Sequence, residues 1–279
     1  MKNGVALAKE IESTDMPYGT VAIWHLGQSG VIIKGQRNAG AIVIDPYITE
    51  SIESKNATTE FKRAFSPPIS PSELTQISGI LVSHYHDDHL DVGSICGIAA
   101  SNEEATIVVP ASHRALLADK IQLDKLKGVK NEDAFFVKEF KVIPIPVAHT
   151  EYDSDAEGHP FYFGYFIEVN GVKLFHSGDT LVTEPIIKAA KAFQPDIAFL
   201  PINGGDYART KRGIIGNMNF REATDFAVEV GIDMLLPIHF DLFPNNRDNP
   251  AYFVDYLLQH YPHQKFHMMT AGERFIYYK

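Results

Sequence analysis

A chain of 279 residues with 45% hydrophobic and 22% charged side chains has the composition of a globular protein, not of a disordered one, and no apolar run approaches the roughly 18 residues that span a bilayer. A formal net charge of −10 argues against nucleic acid as the principal substrate, because backbone phosphates are bound by basic surfaces; a small anionic substrate needs only a few local cations and stays open. The single cysteine, Cys96, rules out an intrachain disulfide and reads as a small buried hydrophobe. Glu10, Glu12 and Asp15 interrupt any apolar leader, so the expected compartment is a reducing cytoplasm, with no membrane partner.

In chain order, strands are expected at 21–24, 31–34 and 41–44, with Gly27, Gly30 and Gly40 marking turns. Residues 50–70 are polar, carry Pro67-Pro68, and read as a long loop or short helical excursion of the kind that covers a site. A strand at 79–83 opens into a loop, followed by a helix near 92–100, a strand at 106–110 and a helix starting near Ser112. The middle is rich in strands, at 134–137, 140–146, 161–169 and 172–176, and Asn170-Gly171 between the last two is a two-residue hairpin signal.

Helices at 184–193, 220–230 and 251–261 then alternate with strands at 197–201 and 234–237. Asn219 with Glu222 forms a capping pair, and Asn249-Pro250 supplies an N-cap followed by proline at the first helical position. No internal repeat or low-complexity tract is visible. Strand-rich halves with interleaved helices fit an α/β chain (α+β layered) of two packed sheets with helices outside, although the pattern alone fits other α/β folds too.

The run His84-Tyr85-His86-Asp87-Asp88-His89 reads H-x-H-x-D-H, four potential metal ligands in six positions of a chain with only 12 histidines. The apolar run Gly79-Ile80-Leu81-Val82 precedes it, which places the cluster where a buried strand ends. Three more apolar runs stop the same way: 142–148 at His149, 172–175 through His176-Ser177-Gly178 at Asp179, and 234–238 at His239. Imidazole and carboxylate donors without a thiolate suit zinc, manganese or iron and do not choose among them.

The ordered series Asp45, His84, His86, Asp88, His89, His149, Asp179 and His239 resembles that of the metallo-β-lactamase superfamily, from about Trp24 to Pro250. Within it, Trp24-His25-Leu26-Gly27-Gln28-Ser29-Gly30, His176-Ser177-Gly178-Asp179, Lys211-Arg212-Gly213 and Pro237-Ile238-His239-Phe240-Asp241 are similar to the L-ascorbate-6-phosphate lactonase-like hydrolases. The resemblance implies one four-layer αββα sandwich domain over residues 1–279, with its core from about residue 20. It implies two divalent ions, zinc or manganese with iron also fitting: His84, His86 and His149 on one, Asp88, His89 and His239 on the other, and Asp179 bridging.

The chemistry so implied is attack by an activated hydroxide, with Asp88 and Asp179 as the catalytic carboxylates. Asp88 is a proton acceptor or a ligand only; Asp45 supports the ligand loop by hydrogen bonding, and His176 does the same or is simply structural. The run Arg209-Thr210-Lys211-Arg212 follows a strand and the segment from Asn203 to Tyr207, and arginine suits bidentate phosphate or carboxylate contact. Asn203, Tyr207, Arg209, Lys211 and Arg212 are therefore candidate substrate contacts, an exposed charge run being the alternative. The expected activity is hydrolysis of a small anionic substrate, a sugar-phosphate lactone on the lactonase likeness. The alternatives are phosphodiester hydrolysis and metal binding without catalysis. Fold analogy adds a homo-oligomer.

Overall fold

Neighbouring residues of one strand pack into different apolar clusters: Val21 and Ile23 face one, Ala22 and Trp24 another. A strand that is apolar on both faces must lie between two layers. The computed structural model, which describes residues 2–36 and 39–279, has this layering throughout. The first half holds α1 (Gly4–Ser13), β1 (Thr20–Gly27), β2 (Gly30–Lys34), β3 (Ala41–Ile44), α2 (Ser51–Lys55), β4 (Ile77–Leu81), α3 (Val92–Ser101), β5 (Thr106–Pro110) and β6 (Leu126–Val129). The middle holds β7 (Phe135–Val137), β8 (Phe140–Pro146), β9 (Phe163–Val169), β10 (Val172–His176), α4 (Glu184–Phe193) and β11 (Ile197–Pro201). Then come α5 (Tyr207–Lys211), α6 (Phe220–Val230), β12 (Met234–Ile238), α7 (Pro250–His260), β13 (Lys265–Phe266) and β14 (Arg274–Tyr278).

The strands form two seven-stranded sheets, ordered β14-β1-β2-β3-β4-β5-β6 and β13-β12-β11-β10-β9-β8-β7. Ile42, Ile44 and Leu81 of the first meet Tyr165, Leu174 and Phe199 of the second in the central apolar layer. Leu7 and Ile11 of α1 and Ile95 and Ile98 of α3 cover the outer face of the first sheet. Ile186 of α4, Phe226 of α6 and Phe253 of α7 cover that of the second. The result is the αββα layering expected.

Several elements differ from expectation for identifiable reasons. The strand read at 79–83 runs Ile77–Leu81 instead, because the Ser83 amide leaves the ladder and donates to the Asp45 carboxylate at 2.7 Å. The helix expected near Ser112 is a short 3-10 stretch, Ala111–Leu116. Helix α1 was not anticipated, although Leu7 and Ile11 have helical spacing; Trp24 anchors it by donating from Nε1 to Glu10 Oε1 at 3.1 Å. Strand β14 was missed too, because its partner is β1, with Thr20 opposite Tyr278.

The Asn170-Gly171 turn forms as expected: both residues have positive φ, 54° and 79°, and Val169 pairs with Val172. Among the described residues no helix is long and apolar enough to cross a membrane.

The Asn219 capping box is also present. Its Oδ1 accepts from the amides of Arg221 (2.9 Å) and Glu222 (3.1 Å), and Glu222 Oε2 accepts from the Asn219 amide at 2.9 Å. Asn219→Ala is expected to lower the unfolding free energy in urea by about 1 kcal/mol. An unchanged midpoint would show that the cap contributes nothing.

Candidate metal centre

Strand direction gathers the candidate ligands. β3 and β4 are parallel, with Ile44 opposite Leu81, so the chain leaves both at the same edge, at Asp45 and Ser83-His84. β8 and β10 are both antiparallel to β9, and β10, β11 and β12 run parallel. Their C-terminal ends therefore deliver His149, Asp179 and His239 to one edge of the second sheet. Hydrogen bonds join the two edges: the Phe163 amide donates to Ser83 O at 3.0 Å and the His239 amide to Gln28 O at 2.8 Å.

Turning so sharply out of a strand requires unusual backbone. Asp45 and His239 have φ of 46° and 58°, in the left-handed region that costs a side-chain-bearing residue of order 1–3 kcal/mol. Gly178, with φ 60°, has no room for a Cβ, which would lie 2.7 Å from the Phe163 carbonyl oxygen.

The seven side chains converge as two groups: His84, His86, His149 and Asp179 in one, Asp88, His89 and His239 in the other, each with donor atoms within 4.8 Å of one another. Asp179 links the groups. Its carboxylate lies 3.2 Å from His239 Nε2, 3.4 Å from His89 Nε2 and 3.8 Å from His149 Nε2. His84 Nε2 and His86 Nδ1 are 2.9 Å apart. Buried polar atoms normally find a partner, yet His89 Nε2 and Asp179 Oδ1 are both buried without a hydrogen bond. Nitrogen lone pairs and carboxylate oxygens aimed into one closed space are the donor set of a divalent cation.

Asp45 lies outside this ring and holds it. Fully buried, it accepts from Ser83 N at 2.7 Å and from Ser83 Oγ at 2.6 Å, and it faces His89 Nδ1 at 2.8 Å. With Nδ1–H fixed on the carboxylate, His89 presents Nε2 to the cluster. His176 is held differently: its Nε2 donates to Ser29 O at 2.9 Å, while Nδ1 accepts from the Gly178 amide at 3.2 Å. It ties the β1–β2 turn to the Asp179 loop as a neutral imidazole, and burial lowers its pKa.

The electrostatics divide the two groups. Burial pushes His84 well below the usual imidazole range, lowers His86, and takes His149 down to about 4. Burial acts the same way on His89 and His239, but there the carboxylates prevail. Asp179, Asp88 and Asp45 together hold His89 well above its ordinary pKa, and Asp179 and Asp88 raise His239. Burial alone would raise Asp88 and Asp179; the facing His89 and His239 keep both carboxylates below the usual range.

A cavity of about 180 Å³ opens onto His86, Asp88, His149, Asp179 and His239; Phe61, Gly213, Ile214, Ile215 and Asn246 complete its lining. Of these last five, Gly213 belongs to the marked segment Lys211-Arg212-Gly213; the other four were not singled out, because nothing local shows which residues of long loops turn inward. Gln28 was also overlooked, although its segment had been marked. Its Nε2 donates to Asp88 Oδ2 at 2.8 Å and lies 3.0 Å from His239 Nε2, while its amide is held by Asp241 Oδ1 at 2.9 Å.

The proposed substrate contacts lie elsewhere. Arg209 is buried and committed to Asp206 at 2.5 Å, to Asp248 at 2.8 Å and to the Asn203 carbonyl at 2.8 Å. Asn203 is buried between Asn217 and Asn246, each at 3.2 Å. Arg212 is exposed and pairs with Glu60 at 2.8 Å, and Tyr207 is 81% exposed. Lys211 is exposed as well. None of the five lines the cavity.

Comparison with known proteins agrees with this architecture. The family model of the beta-lactamase superfamily domain matches residues 41–240. A metal-dependent hydrolase of Caldivirga maquilingensis is 27% identical over 239 residues, covering 83% of this chain and 88% of that protein. A probable L-ascorbate-6-phosphate lactonase of Escherichia coli is 22% identical over 277 residues, covering 88% and 77%. Among solved structures, a metallo hydrolase from Ignicoccus hospitalis matches with TM-score 0.65 at 20% identity, covering 92% of this chain and 98% of that one. An isothiocyanate hydrolase from Delia radicum gut bacteria matches with TM-score 0.68 at 16% identity, covering 92% and 99%. At these identities the structural likeness is one of fold.

Proposed function

Because the chain belongs to the beta-lactamase superfamily, we propose that it is a metal-dependent hydrolase of a carbonyl ester bond of the lactone type. The observation that carries this reading is the convergence of seven buried or half-buried candidate ligand side chains, among which His89 Nε2 and Asp179 Oδ1, 3.4 Å apart, make no hydrogen bond. His84, His86 and His149 would hold one divalent ion, Asp88, His89 and His239 a second, with Asp179 shared; zinc, manganese and iron all suit these donors. Such ions supply Lewis-acid polarisation of a carbonyl and lower the pKa of an attacking water.

The protein groups supply proton handling and position. Asp88 lines the cavity as a carboxylate, with the Gln28 amide on Oδ2, which leaves Oδ1 to take a proton from the attacking water. The water oxygen bonds to the carbonyl carbon, and the ring C–O bond breaks with its electron pair going to the ring oxygen. That oxygen receives the proton from Asp88, giving a hydroxy acid. The lactonase name carried by the Escherichia coli relative supports a carbonyl substrate. Phosphodiester hydrolysis is less supported, because among the described residues no arginine or lysine lines the cavity.

The reading has a pH consequence. His89 and His239 have raised pKa values, so an ion at their group must displace protons, and its affinity rises with pH. His84, His86 and His149 have lowered pKa values, so protons compete less for that group. On acidification, the Asp88–His89–His239 group is expected to lose its ion first. Metal content and lactone hydrolysis, followed together from pH 8 to pH 5, test this. Activity should fall while roughly one ion per chain remains; hydrolysis that survives complete removal of metal by a chelator would refute the proposal.

A further inference from the structure

The cavity above the candidate ligands has a floor of imidazole and carboxylate and a wall of a different kind. Phe61 comes from the segment after α2, and Ile214 and Ile215 come from the loop after α5. Among the described residues, Asn246 is the single polar side chain in the lining that is not a candidate ligand. Its Oδ1 accepts from Asn203 Nδ2 at 3.2 Å, which turns the amide nitrogen to the other side.

Three nearby cations are engaged, whereas Lys211 and Arg247 are exposed and lie outside the lining. Arg212 pairs with Glu60 at 2.8 Å, joining the two segments that carry the apolar wall. Arg209 is held by Asp206 and Asp248, and Lys55 pairs with Asp87 at 2.6 Å. A phosphate or carboxylate against Phe61, Ile214 and Ile215 would lose its water and gain no counter-charge there, an unfavourable exchange for any ion. An alkyl group in the same place would lose only its contact with water.

From this juxtaposition we infer that the substrate is compact and uncharged: an apolar body packs against Phe61, Ile214 and Ile215, one polar atom takes a hydrogen bond from Asn246, and no phosphate is carried. This inference rests on the hydrolase reading for the orientation of the reacting carbonyl toward the ligand cluster.

The test uses two near-isosteric probes on the full chain loaded with zinc or manganese. Butyrohydroxamate and succinomonohydroxamate share a chelating end and differ at the tail, methyl in one and carboxylate in the other. Calorimetry is expected to show the butyryl compound binding at least roughly tenfold more tightly. Ile215, 40% exposed, can be replaced without disturbing the core, and Ile215→Lys, which places a cation at the wall, is expected to reverse the order. Equal or tighter binding of the succinyl compound by the unmodified chain, or no binding of the butyryl compound, overturns the inference.

Turnover separates the two claims. Butyryl preference without hydrolysis of any lactone would overturn the hydrolase reading and leave the preference for uncharged ligands standing. Hydrolysis confined to a phosphate-bearing lactone would do the reverse.

Discussion

Asp179→Ala is expected to lower kcat/KM for lactone hydrolysis by about a thousandfold or more, the equivalent of roughly 4 kcal/mol of transition-state stabilisation. Asp179 touches histidines of both groups, lying within 3.8 Å of His149, His239 and His89. Its carboxylate also contributes to the raised pKa values of His89 and His239. On the proposed dinuclear reading, the alanine variant would lose a shared donor and the negative charge that balances two cations. Asp179→Asn keeps the shape and loses the charge, so its defect should resemble that of alanine more than that of the unmodified chain. Steady-state kinetics with reconstituted proteins of matched thermal stability measure the effect, and a loss below tenfold would contradict the bridging role.

The second large effect is on stability. Asp45→Ala is expected to destabilise the chain by about 3–5 kcal/mol, because it removes a buried charge and strands its partners. Three groups would lose their acceptor: Ser83 N, Ser83 Oγ and His89 Nδ1. The backbone adds to the penalty, since φ is 46° at this position and alanine tolerates the left-handed region less well than aspartate or asparagine. Asp45→Asn can keep the turn and part of the hydrogen bonding, so it should recover much of the stability. It should still weaken metal binding, by about 10–100-fold, because His89 loses its charged partner. Urea unfolding of the three proteins decides the matter. An alanine variant within 1 kcal/mol of the unmodified chain would show that Asp45 does not hold the loop.

The convergence of the candidate ligands was legible because strand ends and metal-binding residue types coincide in the sequence itself. H-x-H-x-D-H begins three residues after the end of β4, and β8, β10 and β12 each run into, or within three residues of, the next member. Asp45 was legible for the same reason. What sequence could not show is which residues meet across long separations. β14 reaches its place only by pairing with β1, and Asp248 captures Arg209 from 39 residues away, turning an apparent substrate cation into a structural one. Asp206, three residues before Arg209, was the local hint of that outcome. Phe61, Ile214 and Ile215 look like ordinary loop hydrophobics until the two segments are brought over the cluster.

Elemental analysis of the chain after reconstitution with zinc or manganese and desalting, in parallel with Asp179→Ala, tests the metal centre most directly. The expected result is close to two ions per chain for the unmodified protein and fewer than one for the variant. No retained metal in the unmodified protein, or the same content in both, would contradict the assignment of these seven side chains as a dinuclear site.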